Sequence, residues 1–251
     1  MDIIIEVQRF HPEKDKEPYL QKYNIQIEKT QRILDALMYI ARNIDGTLGF
    51  RKSCAHGVCG SDAMVINGKE GLACKTLIQD VAQNDGNTIS LQPLKHLQVE
   101  KDLMVDQTPF LQKFKAVNPY FMAKEPPPGK KEYLQSPEQR KAIDDATKCI
   151  HCGACYSACP ILDTNPQFLG PAALVQAARF IYDTRDKGLE ARIDLLDHPD
   201  GVWACENHFE CTKVCPRGIK ITKLINLTKR TIRQYREEKG QVTRETRDLK
   251  Q

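Results

Sequence analysis

The chain has 251 residues, 37 basic and 33 acidic, for a net charge of +4. A mixed surface of this kind argues against a dedicated nucleic-acid binder, which concentrates its Lys and Arg, and no apolar run approaches the ~20 residues of a membrane span. Ten cysteines in a chain long enough to fold on its own core need a chemical reason.

The opening MDIIIEVQRF has no signal-peptide cleavage region, so a reducing compartment and grouped metal ligands are expected rather than disulfides. Strands are expected over Ile3–Phe10 and Tyr23–Glu28, separated by the turn-like HPEKDKEP. A helix follows, with Thr30 as its cap and Leu34, Leu37, Met38 and Ala41 on one face. Next comes a glycine-rich cysteine loop holding Gly57, Gly60, Gly68 and Gly71. A short hairpin is expected around Asn67-Gly68, then a further strand in NTISLQPL. Strand, strand, helix, cysteine loop and late strand is the order of a small β-grasp ferredoxin domain. After Val105 the character changes. EPPPGKK makes a stiff turn, Ser136, Pro137 and Gln139 form a helix start with a capping box, and Pro171–Tyr182 and Thr222–Tyr235 read as helices. The fold class is therefore α+β, with a β-grasp domain over 1–106 and an all-α, bacterial-ferredoxin-like domain over 107–251.

Three cysteine motifs carry the chemistry. Cys54, Cys59, Asp62 and Cys74 follow the plant-type 2Fe–2S spacing, with Asp at the third ligand position. Cys149, Cys152, Cys155 and Cys159-Pro160 follow the bacterial cluster motif without a gap. Cys205, Cys211 and Cys215-Pro216 repeat it with His208 in place of the second cysteine. In two-cluster ferredoxins the Cys-Pro cysteine crosses to the other cluster. That pairing gives Cys149, Cys152, Cys155 and Cys215 for 4Fe–4S, and Cys159, Cys205 and Cys211 for 3Fe–4S. With Asp62, eleven ligands divide as four, four and three, and no cysteine is left over. Structural zinc would predict pairs of pairs instead. Disulfides would be strained at two-residue gaps. A Rieske reading of CAH and CENH would split its boxes between domains. For Asp62 the alternative to ligation is a nearby hydrogen bond, with water or hydroxide on the iron.

SCAHGVCGSDAMVINGK, GLACKTLI, VEKDLMVD, CIHCGACYSACP, FLGPAALVQAARFIYDTRDKG and CPRGI closely resemble the iron–sulfur subunit of succinate dehydrogenase and fumarate reductase. The likeness runs along nearly the whole chain, and some members carry Asp in the first motif. The resemblance implies electron transfer between a flavoprotein subunit, where succinate and fumarate interconvert at FAD, and a membrane quinone. It implies transmembrane anchor subunits as partners, with haem b as a candidate cofactor there, at the cytoplasmic face of a bacterial inner membrane. The chain lacks a G-x-G-x-x-G fingerprint and is not expected to bind FAD itself. Where ubiquinone-using members carry a Trp pair this chain has Asp163 and Thr164, and Glu206 stands where some members have His; both tilt the expectation toward menaquinone. Pro160, Asp163, Thr164 and His208 are the quinone-facing candidates, and His208 is expected not to ligate. His56 and His151, inside cluster loops, are expected on the solvent side or beside the cluster rather than as ligands, where either could donate an N–H toward a sulfur. The alternative is an iron–sulfur subunit of another flavoprotein, such as a thiol-dependent fumarate reductase, without quinone. The basic run 228–251 reads as a solvated helix and frayed end, or as a weaker contact to anionic headgroups.

Overall fold

Alternation of apolar and polar residues makes Asp2–Arg9 strand β1, with Ile3, Ile5 and Val7 buried. The computed structural model describes residues 1–240, so the last part of the basic tail, 241–251, lies outside the described residues. β2 (Tyr19–Gln26) returns antiparallel to β1, and α1 (Ile33–Asn43) follows. β3 (Ala63–Ile66) and β4 (Lys69–Leu72) form the expected hairpin, with Asn67 at φ 49° and Gly68 at φ 78° in its turn. Then come the short α2 (Ile78–Val81), β5 (Thr88–Gln92), β6 (Val99–Lys101) and β7 (Met104–Val105). The five-stranded sheet runs β2-β1-β5-β3-β4, with β1 and β5 parallel and the other pairs antiparallel.

Helices make up the rest: α3 (Thr108–Lys115), α4 (Pro137–Lys141), α5 (Asp144–Thr147), α6 (Ala154–Ser157) and α7 (Ile161–Thr164). They continue with α8 (Pro171–Ile181), α9 (Leu189–Leu196), α10 (Glu210–Lys213) and α11 (Ile221–Glu238). Two compact units result. The first comprises Met1–Pro109, Ile150–Ala158 and Val214–Pro216; the second comprises Phe110–Cys149, Cys159–Lys213 and the described residues from Arg217 to 240.

In the first unit, α1 buries Ile33, Leu34, Ala36, Leu37 and Ile40 with the inward side chains of the sheet. This face differs from the expected one: Met38 is half-buried, Ala36 and Ile40 are buried, and the N-cap is Arg32 rather than Thr30. The reason is backbone pinning. Ile33 N–H donates to Thr76 O and Leu34 N–H to Ala73 O, both at 3.0 Å. The segment around Cys74 thus satisfies first-turn donors that a helix leaves unpaired, and this contact sets where α1 begins. Arg9, buried on β1, gathers Asp45 at 2.7 Å and Asp102 at 3.0 Å. Asp102 in turn accepts from Gly49 N–H at 2.7 Å, which fixes the approach to the first cysteine loop. Hydrogen bonds from Thr47, Tyr23 and Arg9 hold the Asp45 carboxyl well below the usual carboxylate range.

The short α6 covers the β4 edge of the sheet. Ser157 Oγ donates to the buried Glu70 carboxylate at 2.9 Å and accepts from Lys95 N–H at 2.9 Å. Cys152, Ala154 and Val214 join the core of the N-terminal sheet.

In the second unit, α8 is buried on nearly every side and packs against α5, α9 and α11. Its four alanines let the other helices approach closely. Ser136 caps α4 in the expected capping box with Gln139. α11 turns Ile221, Leu224, Ile225, Thr228 and Ile232 inward at helical spacing. Arg192, fully buried, pairs with Asp186 at 2.6 Å and donates to Tyr120 O at 2.6 Å, locking the 118–122 segment.

Candidate metal centres

The first loop wraps backbone donors around its thiols. Cys54 Sγ accepts from the N–H groups of His56, Val58 and Cys59 at 3.5, 3.4 and 3.3 Å. These bonds, His56 first, bring the Cys54 thiol down to about 6. Cys59 Sγ accepts from Cys54 N–H at 3.5 Å and lies 3.2 Å from Ser61 Oγ. Positive φ angles at Ala55, Gly57 and Gly60 turn the loop so that its N–H groups point inward. Such a nest stabilises negative sulfur, which is the charge an iron–sulfur ligand set carries.

Asp62 belongs to the same loop and is only 3 % exposed. Its Oδ2 accepts from Cys74 N–H at 2.5 Å. Its Oδ1 is buried and, among the described residues, has no hydrogen-bond partner. A buried carboxylate oxygen without a donor is costly and fits a position facing iron. Cys74 is fully buried, and burial, then the neighbouring Asp62, pushes its thiol up to about 12.

In the second motif, Cys152 precedes α6 and Cys155 lies within it, both buried in the first unit. Cys215 belongs to the same unit beside the core residue Val214. Cys149 belongs to the second unit, where its N–H donates to Ala146 O. Positive φ at His151 and Gly153 shapes the loop. Gly60, next to Cys59, abuts this motif. A Cβ there would stand 2.7 Å from Cys152 Cβ, 2.9 Å from its Cα and 3.1 Å from Ile150 O.

The third group lies wholly in the second unit. Cys159, Cys205 and Cys211 line one cavity together with Pro160, His208 and Thr222. Burial pushes the Cys159 thiol up to about 11 and raises that of Cys211. None of the ten cysteines forms a disulfide. Among the described residues, no three Cys, His, Asp or Glu side chains are arranged to hold a single metal ion. Donors around one zinc stand about 3.8 Å apart, whereas thiolates on the periphery of a multi-iron cluster lie farther from one another.

Residues 4–112 match the model of the 2Fe-2S iron-sulfur cluster binding domain, and residues 145–219 that of the 4Fe-4S dicluster domain. The fumarate reductase iron-sulfur subunit of Mycobacterium tuberculosis is 39% identical over 218 residues, covering 86% of this chain and 87% of its own. The succinate dehydrogenase iron-sulfur subunit of Coxiella burnetii is 39% identical over 222 residues, covering 87% and 92%. The chain belongs to the iron–sulfur subunits of succinate dehydrogenase and fumarate reductase. A chain of the Mycobacterium smegmatis Sdh1 complex in the apo form superposes with a TM-score of 0.83 at 25% identity, over 94% of this chain and 97% of that one. The α+β reading, with an N-terminal 2Fe–2S domain and a C-terminal 4Fe–4S dicluster domain, holds.

Within this iron–sulfur subunit the four quinone-side candidates separate. Pro160 and His208 line the three-cysteine cavity. Asp163 and Thr164 are exposed on α7 and are not among its lining residues. His208 is exposed, with Nε2 3.2 Å from Glu206 Oε2. The backbone on either side of it, at Asn207 and Phe209, has positive φ. Among the described residues of the subunit, no helix is long and apolar enough to cross a membrane. Two polar neighbours of the sulfurs, Ser61 and Thr222, lie outside the ligand positions of the cysteine motifs. Ser61 stands two residues from Cys59, a short-range signal that was available. Thr222 reaches Cys211 from another helix, and no spacing rule points to it.

Proposed function

We propose that the subunit carries electrons between a flavoprotein, at whose FAD succinate and fumarate interconvert, and a membrane quinone, with menaquinone favoured. The proposed ligand sets are Cys54, Cys59, Asp62 and Cys74 for 2Fe–2S; Cys149, Cys152, Cys155 and Cys215 for 4Fe–4S; and Cys159, Cys205 and Cys211 for 3Fe–4S. The observation that carries the reading is the ligand inventory. Ten cysteines divide as three, four and three, and the buried, unbonded Oδ1 of Asp62 supplies the eleventh donor.

When bound, the clusters supply one-electron redox chemistry over a wide range of potentials. The chain's own residues supply the rest. N–H groups of the first loop stabilise negative charge on Cys54. Asp62 adds a harder oxygen donor. The bare backbone of Gly60 lets the first loop touch Cys152, so groups held by Cys59 and Cys152 would lie close together. The exposed His208, held by Glu206 rather than turned wholly onto the cysteines, supports a three-thiolate third site. Pro160, Asp163, Thr164 and His208 are proposed to face the quinone. Transmembrane anchor subunits, with haem b where they carry it, would hold the subunit at the cytoplasmic face of a bacterial inner membrane.

Anaerobic purification of the complex with iron and sulfide analysis and EPR tests the reading. About nine irons, with separate 2Fe–2S, 4Fe–4S and 3Fe–4S signals, are expected. A fully loaded preparation with fewer irons would refute the three-cluster assignment. Loss of the anchor during gentle purification, with dicarboxylate turnover intact on thiols alone, would favour the thiol-dependent alternative.

A further inference from the structure

Thr222 stands at the second residue of α11, 1 % exposed. Its Oγ1 lies 3.6 Å from Cys211 Sγ and 3.0 Å from Thr212 Oγ1. Its backbone N–H donates to that same Thr212 oxygen at 3.0 Å. The start of α11 therefore has a cap supplied from α10: no side chain at Lys220 caps it, and Thr212 takes the orphan N–H instead.

This geometry orders the hydroxyl protons once Cys211 is a thiolate. A thiolate has no proton to give, so between Cys211 and Thr222 only the hydroxyl can donate. With its own proton aimed at sulfur, Thr222 Oγ1 becomes the acceptor from Thr212. Thr212 has an oxygen lone pair engaged by Thr222 N–H, and its proton can go to Thr222 Oγ1 or to Cys211, which its side chain also reaches. Both hydroxyls then lie on the Cys211 side of the helix start, and that of Thr222 donates to the sulfur directly. A second feature of the same helix points the same way. Lys229 Nζ donates to Cys205 O at 2.7 Å, bringing positive charge beside another of the three cysteines. The N-terminus of an 18-residue helix adds its positive dipole end near Cys211.

We propose that Thr222 is a positioning residue that sets the reduction potential of the third cluster, acting through Cys211. The proposal rests on assigning Cys159, Cys205 and Cys211 to a 3Fe–4S centre. A hydrogen bond donated to a ligating sulfur stabilises the more negative, reduced state, so it raises the potential. The one-electron couple is unchanged; Thr222 shifts its equilibrium, and with it the driving force for accepting an electron from the preceding cluster and passing it to the quinone.

The test is an EPR-monitored redox titration of the intact complex carrying Thr222→Val, a near-isosteric change that replaces the hydroxyl with a methyl group. The expected result is a lower potential for the third cluster, at least threefold in the one-electron equilibrium or about 28 mV at 59 mV per tenfold. Potentials of the other two clusters stay in place, and Thr222→Ser restores the third. Should the Val variant fail to assemble, Thr222→Ala removes the same donor and carries the same expectation. A third-cluster potential unmoved in an assembled Val or Ala variant overturns the proposal. A shift that Ser does not restore also overturns it, because volume rather than the hydroxyl would then be the cause. Absence of a 3Fe–4S signal in the unmutated complex would instead refute the cluster assignment on which the proposal stands.

Discussion

Asp62 offers the sharpest test because its two oxygens make opposite demands. In the metal-free chain, Asp62→Ala leaves the buried N–H of Cys74 without its 2.5 Å acceptor. That loss costs about 1–3 kcal/mol. The same substitution removes Oδ1, a buried oxygen with no partner, and relieves a penalty of similar size. Metal-free stability should therefore move by no more than about 1 kcal/mol in a urea melt. On the proposed ligation the loaded chain behaves differently, because it would lose one of four iron ligands. Changing a group that merely supports a ligand costs 10–100-fold in metal affinity, so loss of the ligand itself should cost at least ~100-fold, or about 2.7 kcal/mol. The assay is iron release to a chelator, followed together with the reduced 2Fe–2S EPR signal. Asp62→Ala should release the cluster much faster than the unmutated chain. Asp62→Cys should retain it with an altered spectrum and potential. An Asp62→Ala chain with unchanged signal and unchanged iron release would refute ligation and leave Asp62 as a hydrogen-bond acceptor alone.

Asp45→Asn should destabilise the metal-free chain by about 1–3 kcal/mol at pH 7, because a carboxylate bonded by Arg9, Tyr23 and Thr47 loses its charge. The folded-state value of Asp45 is depressed, so its contribution is full above the ordinary carboxylate range and fades as pH falls through the lower folded value. Urea midpoints of the two chains should therefore converge progressively below about pH 4, and a gap as wide at pH 3 as at pH 7 would contradict the network. Gly60→Ala should cost about 2–4 kcal/mol, from positive φ plus overlap with Cys152. Gly68→Ala is its control, with similar φ and open space around it; equal destabilisation by the two changes would show that Cys152 does not restrict Gly60.

Much of this was legible in the chain because cysteine spacing and hydrophobic period are local signals. The Asn67-Gly68 turn, the Ser136 capping box and the starts of β1 and α8 all lie within a few residues of the side chains that cause them. What escaped depends on distant partners. The register of α1 is set by carbonyls of Ala73 and Thr76, some forty residues later, so periodicity alone misplaced its cap and part of its face. β2 begins at Tyr19, four residues ahead of the expected strand, because its pairing with Arg9 extends the ladder through residues of weak apolar pattern. Gly60 reads as one loop glycine among several until Cys152 is seen against it. Asp62 was visible as a ligand position by spacing, but its unbonded oxygen is a property of the folded chain.

The first compact unit is assembled from three stretches, the last ending at Pro216. During synthesis at about 5–20 residues per second, the interval between the emergence of Pro109 and that of Pro216 lasts roughly 5–20 s. Until Ser157 emerges, roughly 2–10 s into that interval, the N-terminal sheet lacks Ala154 and the β4 edge with Glu70 stands uncovered, and Val214 joins the core only at its end. An open strand edge invites pairing with other chains. The nascent subunit therefore passes through an aggregation-prone stage fixed by its own topology, and a chaperone that shields β4 would act before Ser157 arrives to close it.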